Sequence, residues 1–247
     1  MASSSFKTPI GILRLLIVLA VLAIVVLVQV FTGFFEPNPN WLFLSGSAMI
    51  VALALLNYVE MKTRFVMFMF VAMAVCFLAD LLMASVFYLI PAEESIRNLI
   101  NGVPIFLIGH VIYLLALRNR SPLFLRSESP KLIMRNLIIW IVSIAAVFVL
   151  FFFTLYNPTN LVVSIGLFVY GIFLTSSLVF SITKWFDDFP QFFSLSLIFG
   201  FLLFFISDYI LGYKILVGNV FPGIEAVGIT YLLGQLLIHL SPKLENV

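Results

Sequence analysis

Eight long apolar runs, most of them at or above the roughly 20 residues that cross a hydrocarbon core, are separated along this chain by short polar breaks. The pattern predicts helices over about 10–35, 41–58, 65–90, 99–117, 136–156, 161–183, 192–217 and 223–240. The breaks carry turn chemistry, as in Glu36-Pro37-Asn38-Pro39-Asn40, Pro91-Ala92-Glu93-Glu94, Asn157-Pro158-Thr159-Asn160, Asp187-Asp188-Phe189-Pro190 and Phe221-Pro222-Gly223. Backbone groups find no partner in lipid, so each apolar segment has to satisfy its own, which a helix does. The short alternating segments of a membrane β-barrel are not seen. The expectation is an all-α integral membrane protein of eight transmembrane helices, one membrane domain over residues 1–247.

Composition narrows the class. With 63% hydrophobic and 10% charged residues and a mean hydropathy of +1.21, the chain departs from water-soluble domains, of which about a quarter is charged. A net charge of +2 is too small to suggest a nucleic-acid partner. Of the 13 Lys and Arg, all but Arg97 and Lys214 fall on the side of the N-terminus when the runs are threaded alternately, and the positive-inside rule then places both termini in the cytoplasm. Lys7 and Arg14 ahead of the first run resemble a signal-peptide start, but the run is long and lacks a small-x-small site, so it is read as a retained helix. A bacterial inner membrane and an endoplasmic reticulum membrane fit this orientation equally. The basic stretch 118–135 suits anionic headgroups, although orientation alone accounts for it. Cys76 is the only cysteine, which excludes an internal disulfide and any multi-cysteine metal site.

Three ionisable side chains interrupt the apolar runs: Asp80, Asp208 and His110. An intramembrane carboxylate is costly and marks a functional position by default, and the three are expected to converge on one buried polar site. Their surroundings repeat. His110 follows Asp80 by 30 residues, preceded by Gly109, and Gln235 follows Asp208 by 27, preceded by Gly234. An offset of four helices gives a parallel 4+4 internal repeat about an axis along the membrane normal, with the two acids at similar depth. Two carboxyls sharing a low-dielectric site divide into one acid and one base. Tyr113 lies one turn from His110, and Tyr231, Gln235 and His239 form a polar stripe on the last helix, His239 at the interface. Interhelical hydrogen bonding is the plainer role for these groups, and close packing for Ser45-Gly46-Ser47 and for Gly171 beside Tyr170. Gly200, Phe204, Asp208 and Gly212 share a face that lets neighbours approach the carboxylate.

Other chemistries fail on inventory. Two histidines do not make a three-ligand zinc centre, so no metal is expected, Asp80, Asp208 and His110 being the one set that could hold an ion. There is no nucleophile elbow, phosphate-binding loop or dinucleotide fingerprint, so no cofactor is expected and Ser207 is read as a neighbour of Asp208, not a nucleophile. The stretches F-L-A-D-L-L-M at 77–83, F-L-I-G-H-V-I-Y at 106–113, F-F-I-S-D-Y-I-L at 204–211 and Y-L-L-G-Q-L-L-I-H-L-S at 231–241 resemble the YhhN family of lysoplasmalogenases. Ala79 stands where that family usually has Gly, and the Lys-Pro pair often found near its second helix is absent around Trp41 to Ile50.

The resemblance implies an eight-helix membrane hydrolase that cleaves the vinyl ether of lysoplasmalogens to a fatty aldehyde and glycerophospho-ethanolamine or -choline. Its partners would be a lysophospholipid and bilayer lipid, the lipid entering sideways. Asp80 and Asp208 would be catalytic, one protonating the alkene and one favouring the cation and activating water. His110, Tyr113, Tyr170, Ser207, Tyr231 and Gln235 would line the polar cavity. A small proton-coupled transporter or a lipid-binding membrane protein would use the same buried acids.

Overall fold

The computed structural model describes residues 9–34, 40–91, 94–118, 130–186, 189–218 and 224–246. Among them run eight helices: α1 (Pro9–Phe34), α2 (Asn40–Met61), α3 (Arg64–Met83), α4 (Glu94–Arg118), α5 (Pro130–Thr154), α6 (Leu161–Phe186), α7 (Gln191–Leu216) and α8 (Ile224–Leu240), with no strand. Seven are long and apolar enough to cross a membrane. α8 has 17 residues and rises only about 26 Å, short of a hydrocarbon core of about 30 Å. The predicted breaks at 36–39, 92–93, 187–188 and 221–223, and most of the basic stretch, lie outside the described residues.

Two boundaries correct the expectation. The apolar run 65–90 is not one helix, because α3 stops at Met83. Ser85 takes a positive φ of 63°, Val86 N–H donates to Leu81 O and Ser85 N–H to Leu82 O, the paired bonds of a Schellman stop. Beyond it, Asn101 of α4 holds the chain: its Oδ1 accepts from Leu89 and Ile90 N–H, both at 2.7 Å, and its Nδ2 donates to Ile90 O at 2.9 Å. One amide thus satisfies backbone that a continued helix would have satisfied itself. Asp80 consequently stands in the last turn of α3, not mid-helix. The second correction is α5, which starts at Pro130 rather than 136. A proline fits the first helical turn, where no N–H is needed, so Lys131 and Arg135 are helical rather than loop.

Neighbouring helices alternate in direction, so one end of the bundle gathers the starts of α1, α3, α5 and α7 with the ends of α2, α4, α6 and α8. There Arg14 and Lys243 both pair with Glu60, and Arg14 Nε donates to Asn57 Oδ1. Every basic side chain described belongs to this end except Arg97 and Lys214. Glycine sets the closest approaches. A Cβ on Gly234 of α8 would stand 2.8 Å from Gly200 O and 3.0 Å from Phe204 N of α7, so these backbones touch where any side chain would part them. The core runs between α2, α3, α4, α7 and α8, with Leu53, Met73, Phe201 and Phe204 wholly buried. α5 stands at the edge: it rests chiefly on α6, and of its residues only Asn136 and Phe151 are buried.

Candidate functional site

Asp80 is buried. Ser47 of α2 donates to its Oδ2, and Tyr231 of α8 donates to the same oxygen at 3.0 Å. Ser47 sits in a stretch read from the sequence as packing, and nothing there set its hydroxyl apart from Ser45, which bonds to its own helix at Leu42 O.

Asp208 has a different setting. It is half-buried, and Tyr170 of α6 donates to its Oδ2. Tyr170 also lies 3.3 Å from His110 Nε2, and His110 Nδ1 lies 3.3 Å from Ser177 Oγ. Tyr170 commits its proton to Asp208 and Ser177 commits its proton to Phe173 O, so the His110 ring stands between two hydroxyl oxygens. Asp208 and Tyr170 line two narrow crevices. One, of about 40 Å³, lies between α5, α6 and α7 among Phe151, Leu155, Leu167, Gly171 and Gly212. The other, of about 20 Å³, is reached past Met83, Leu99, Phe106 and Leu211. Each holds a water or so and no more.

An aromatic layer stands between the acids. Phe204 meets Tyr231 edge-on at 5.1 Å and His110 at 4.7 Å between ring centroids, and Phe106 meets Phe204 and Tyr231 at 6.2 and 6.1 Å. The remaining residues form a second polar group. Tyr113 donates to Gln235 Oε1 at 2.8 Å and lies 2.9 Å from His239 Nε2, and Asn57 Nδ2 donates to His239 O at 2.6 Å. His239, expected at the interface, is therefore buried, because the short segment Ser241–Asn246 continues the chain past it. His239, Gln235 and Tyr231 descend α8 at successive turns. They make a polar column from the Arg14–Glu60–Lys243 cluster toward Asp80. Ser207 donates to Val227 O of α8 at 3.0 Å and ties α7 to α8.

The YhhN family matches residues 40–242, which contain both acids, their hydroxyl donors, His110 and the polar column of α8. The chain belongs to the YhhN family. No curated protein and no solved structure matches it. Among the described residues no three His, Cys, Asp or Glu side chains cluster as metal ligands, His110 being turned to Tyr170 and Ser177. In this YhhN protein Asp208 thus stands on crevices lined almost wholly by apolar side chains.

Proposed function

We propose that this protein hydrolyses the vinyl ether bond of lysoplasmalogens, a reading supported by its membership of a family associated with that activity. One observation carries it: Asp208, held by the Tyr170–His110 pair, lines crevices whose other walls are apolar side chains of membrane-spanning helices. A single-chain lipid entering there would bring its enol ether to the carboxyl. Asp208 gives its proton to the alkene carbon away from oxygen, the electron pair of the C=C bond forming the new C–H bond and leaving an oxocarbenium ion. Tyr170 then donates to a full carboxylate, a stronger bond than to the acid. Asp80 adds a second negative charge behind the aromatic layer, which favours the cation in a low dielectric. Water adds to the cationic carbon and its proton returns to Asp208. The hemiacetal collapses to aldehyde and the glycerol hydroxyl.

We read the chain as eight spans in two parallel halves with cytoplasmic termini. The support is register. A Cβ on Gly109 would meet Ala72 O and Cys76 N at 3.6 and 3.8 Å, and these residues precede Asp80 by two turns and one, as Gly200 and Phe204, which face Gly234, precede Asp208. Likewise α2 supplies the donor to Asp80 and α6 the donor to Asp208.

Aldehyde release from a lysoplasmalogen by the purified protein tests the hydrolase reading, with the ester lysolipid and Asp208→Asn alongside. Aldehyde from the wild type on the vinyl ether alone is the expected result, and none from folded protein would sink it. The polar column toward Asp80 favours one other reading, a proton-coupled carrier, for which pH-driven uptake into vesicles is the check.

A further inference from the structure

We propose that the Asp208 crevices draw their lipid from one leaflet, the one at the end of the bundle away from the basic side chains, so that the substrate is a single-chain ether lipid of that leaflet. This rests on the lipid-substrate reading above and adds the face of the membrane that supplies it. With the basic end in the cytoplasm, the leaflet is the non-cytoplasmic one.

Depth sets the choice. α7 starts at the basic end, and Asp208 lies about 26 Å along it from Gln191 and about 12 Å short of Leu216. The helix rises about 39 Å, so when it is centred on a hydrocarbon core of about 30 Å, the carboxyl stands about 8 Å inside the edge at the Leu216 end and about 21 Å inside the other. The geometry of the lipid decides between them. Five bonds separate the vinyl ether oxygen of a lysoplasmalogen from its phosphorus, about 6 Å when extended. From the leaflet at the Leu216 end, the phosphate stays at the interface while the enol ether meets Asp208. From the leaflet at the Gln191 end, the phosphate would sink about 15 Å into hydrocarbon, where a charge is costly.

The crevice walls agree. Their side chains come from the halves of α4, α5, α6 and α7 away from the basic end, with Met83 the last residue of α3 and with Phe106 and Leu174 at mid-helix. Toward the basic end this face of α7 is closed. Phe204, Phe201, Leu197 and Phe193, which precede Asp208 turn by turn, are wholly buried, and the backbones of α7 and α8 touch at Gly200 and Gly234. The polar column that starts at the basic end leads through Tyr113 and Gln235 toward Tyr231 and Asp80, behind the aromatic layer, and not to Asp208. At the other end, the chain between α3 and α4 presents Val86, Phe87, Leu89 and Ile90, all exposed, beside Met83 of the crevice wall. Asn101 accepts from the backbone N–H groups of Leu89 and Ile90, which gives this segment from within the protein bonds that lipid cannot make. An exposed apolar surface of this kind suits a leaflet interface, and it lies where the substrate enters.

The test is sidedness. The full chain, tagged beyond the Ser241–Asn246 segment at the basic end, is reconstituted into large vesicles, and vesicles with the tag inside are separated from those with it outside. Two probes are added from outside: a lysoplasmalogen, and a saturated 1-O-alkyl lysophosphatidylethanolamine carrying a photoreactive diazirine close to the ether, which reports occupancy without turnover. The charged headgroup slows their crossing to the inner leaflet. With the tag inside, aldehyde release and photolabelling of the crevice segments of α6 and α7 are expected to exceed those with the tag outside by about tenfold or more, and detergent should bring both preparations to one rate. Equal labelling from both sides, stronger labelling with the tag outside, or no crevice labelling in either would overturn the leaflet assignment. Aldehyde release separates the two readings: sided labelling without aldehyde removes the hydrolase and leaves the assignment, and aldehyde released equally from both sides keeps the hydrolase and removes the assignment.

Discussion

Asp80 and Asp208, which we read as corresponding positions of two repeated halves, have unlike settings: Asp80 is enclosed, and Asp208 lines two crevices. Asp80 receives hydroxyls from α2 and α8 on one oxygen and sits behind Phe106, Phe204 and Tyr231. Asp208 receives one hydroxyl, from α6, and opens onto crevices at the edge of the bundle. Along α7 itself the two glycines either side of Asp208 also differ. Gly200 is pressed against α8, with Gly234 O 2.9 Å from where its Cβ would be, whereas Gly212 meets nothing nearer than Leu155 and Leu167 at 3.8 Å. The two acids thus differ, one braced and enclosed and the other lining a crevice, and it is at the second that the proposed chemistry is placed.

The contrast is breakable by substitution. The largest effect is expected from Asp208→Asn, which lowers aldehyde release about a thousandfold with an unchanged unfolding midpoint, against about a hundredfold for Asp80→Asn; equal losses in initial-rate assays would erase the distinction. Next come the glycines. Gly200→Ala overpacks the α7–α8 contact and is expected to cost about 2 kcal/mol of stability, read as a lower thermal midpoint. Gly212→Ala instead narrows the crevice, its Cβ meeting Leu155 and Leu167 at 3.8 Å, and raises KM for the lipid about tenfold with the fold intact. The tyrosines sharpen the comparison further. Tyr170→Phe removes the donor to the accessible acid and slows turnover about tenfold, while Tyr231→Phe removes a donor to the braced one and costs about 1 kcal/mol of stability with kcat retained. Ser47→Ala is the smallest, a stability loss of about 1 kcal/mol or less with no change in rate.

The two acids were legible in the sequence because a carboxylate amid leucine and phenylalanine has no bland background to hide in. Their inequality was not. It depends on which helix covers which face, and apolar periodicity says little about that in a membrane, where lipid-facing and core-facing positions are both hydrophobic. The end of α3 escaped for a related reason. Phe87-Tyr88-Leu89-Ile90 continues the apolar run, and the stop is set by one serine backbone and by Asn101, a residue of the next helix. Ser47 and Ser177 were invisible because a helical hydroxyl most often bonds to its own helix, as Ser177 also does at Phe173 O. His239 looked interfacial by position, and only the fold brings Tyr113 to it.

The sparse anchorage of α5 has a consequence for how the protein breathes. A helix with two buried residues, resting chiefly on α6, is the unit whose excursions cost least, and it forms one wall of the Asp208 crevice through Val147, Leu150 and Phe151. Backbone amides of α5 are therefore expected to exchange with solvent deuterium ahead of those of α3 and α7, and a long-chain ether lipid should slow that exchange more than a short one. The space for substrate would then be created by the bilayer-facing helix yielding while the aromatic layer stays still, so that entry is governed by lateral pressure in the membrane as much as by the protein's own chemistry.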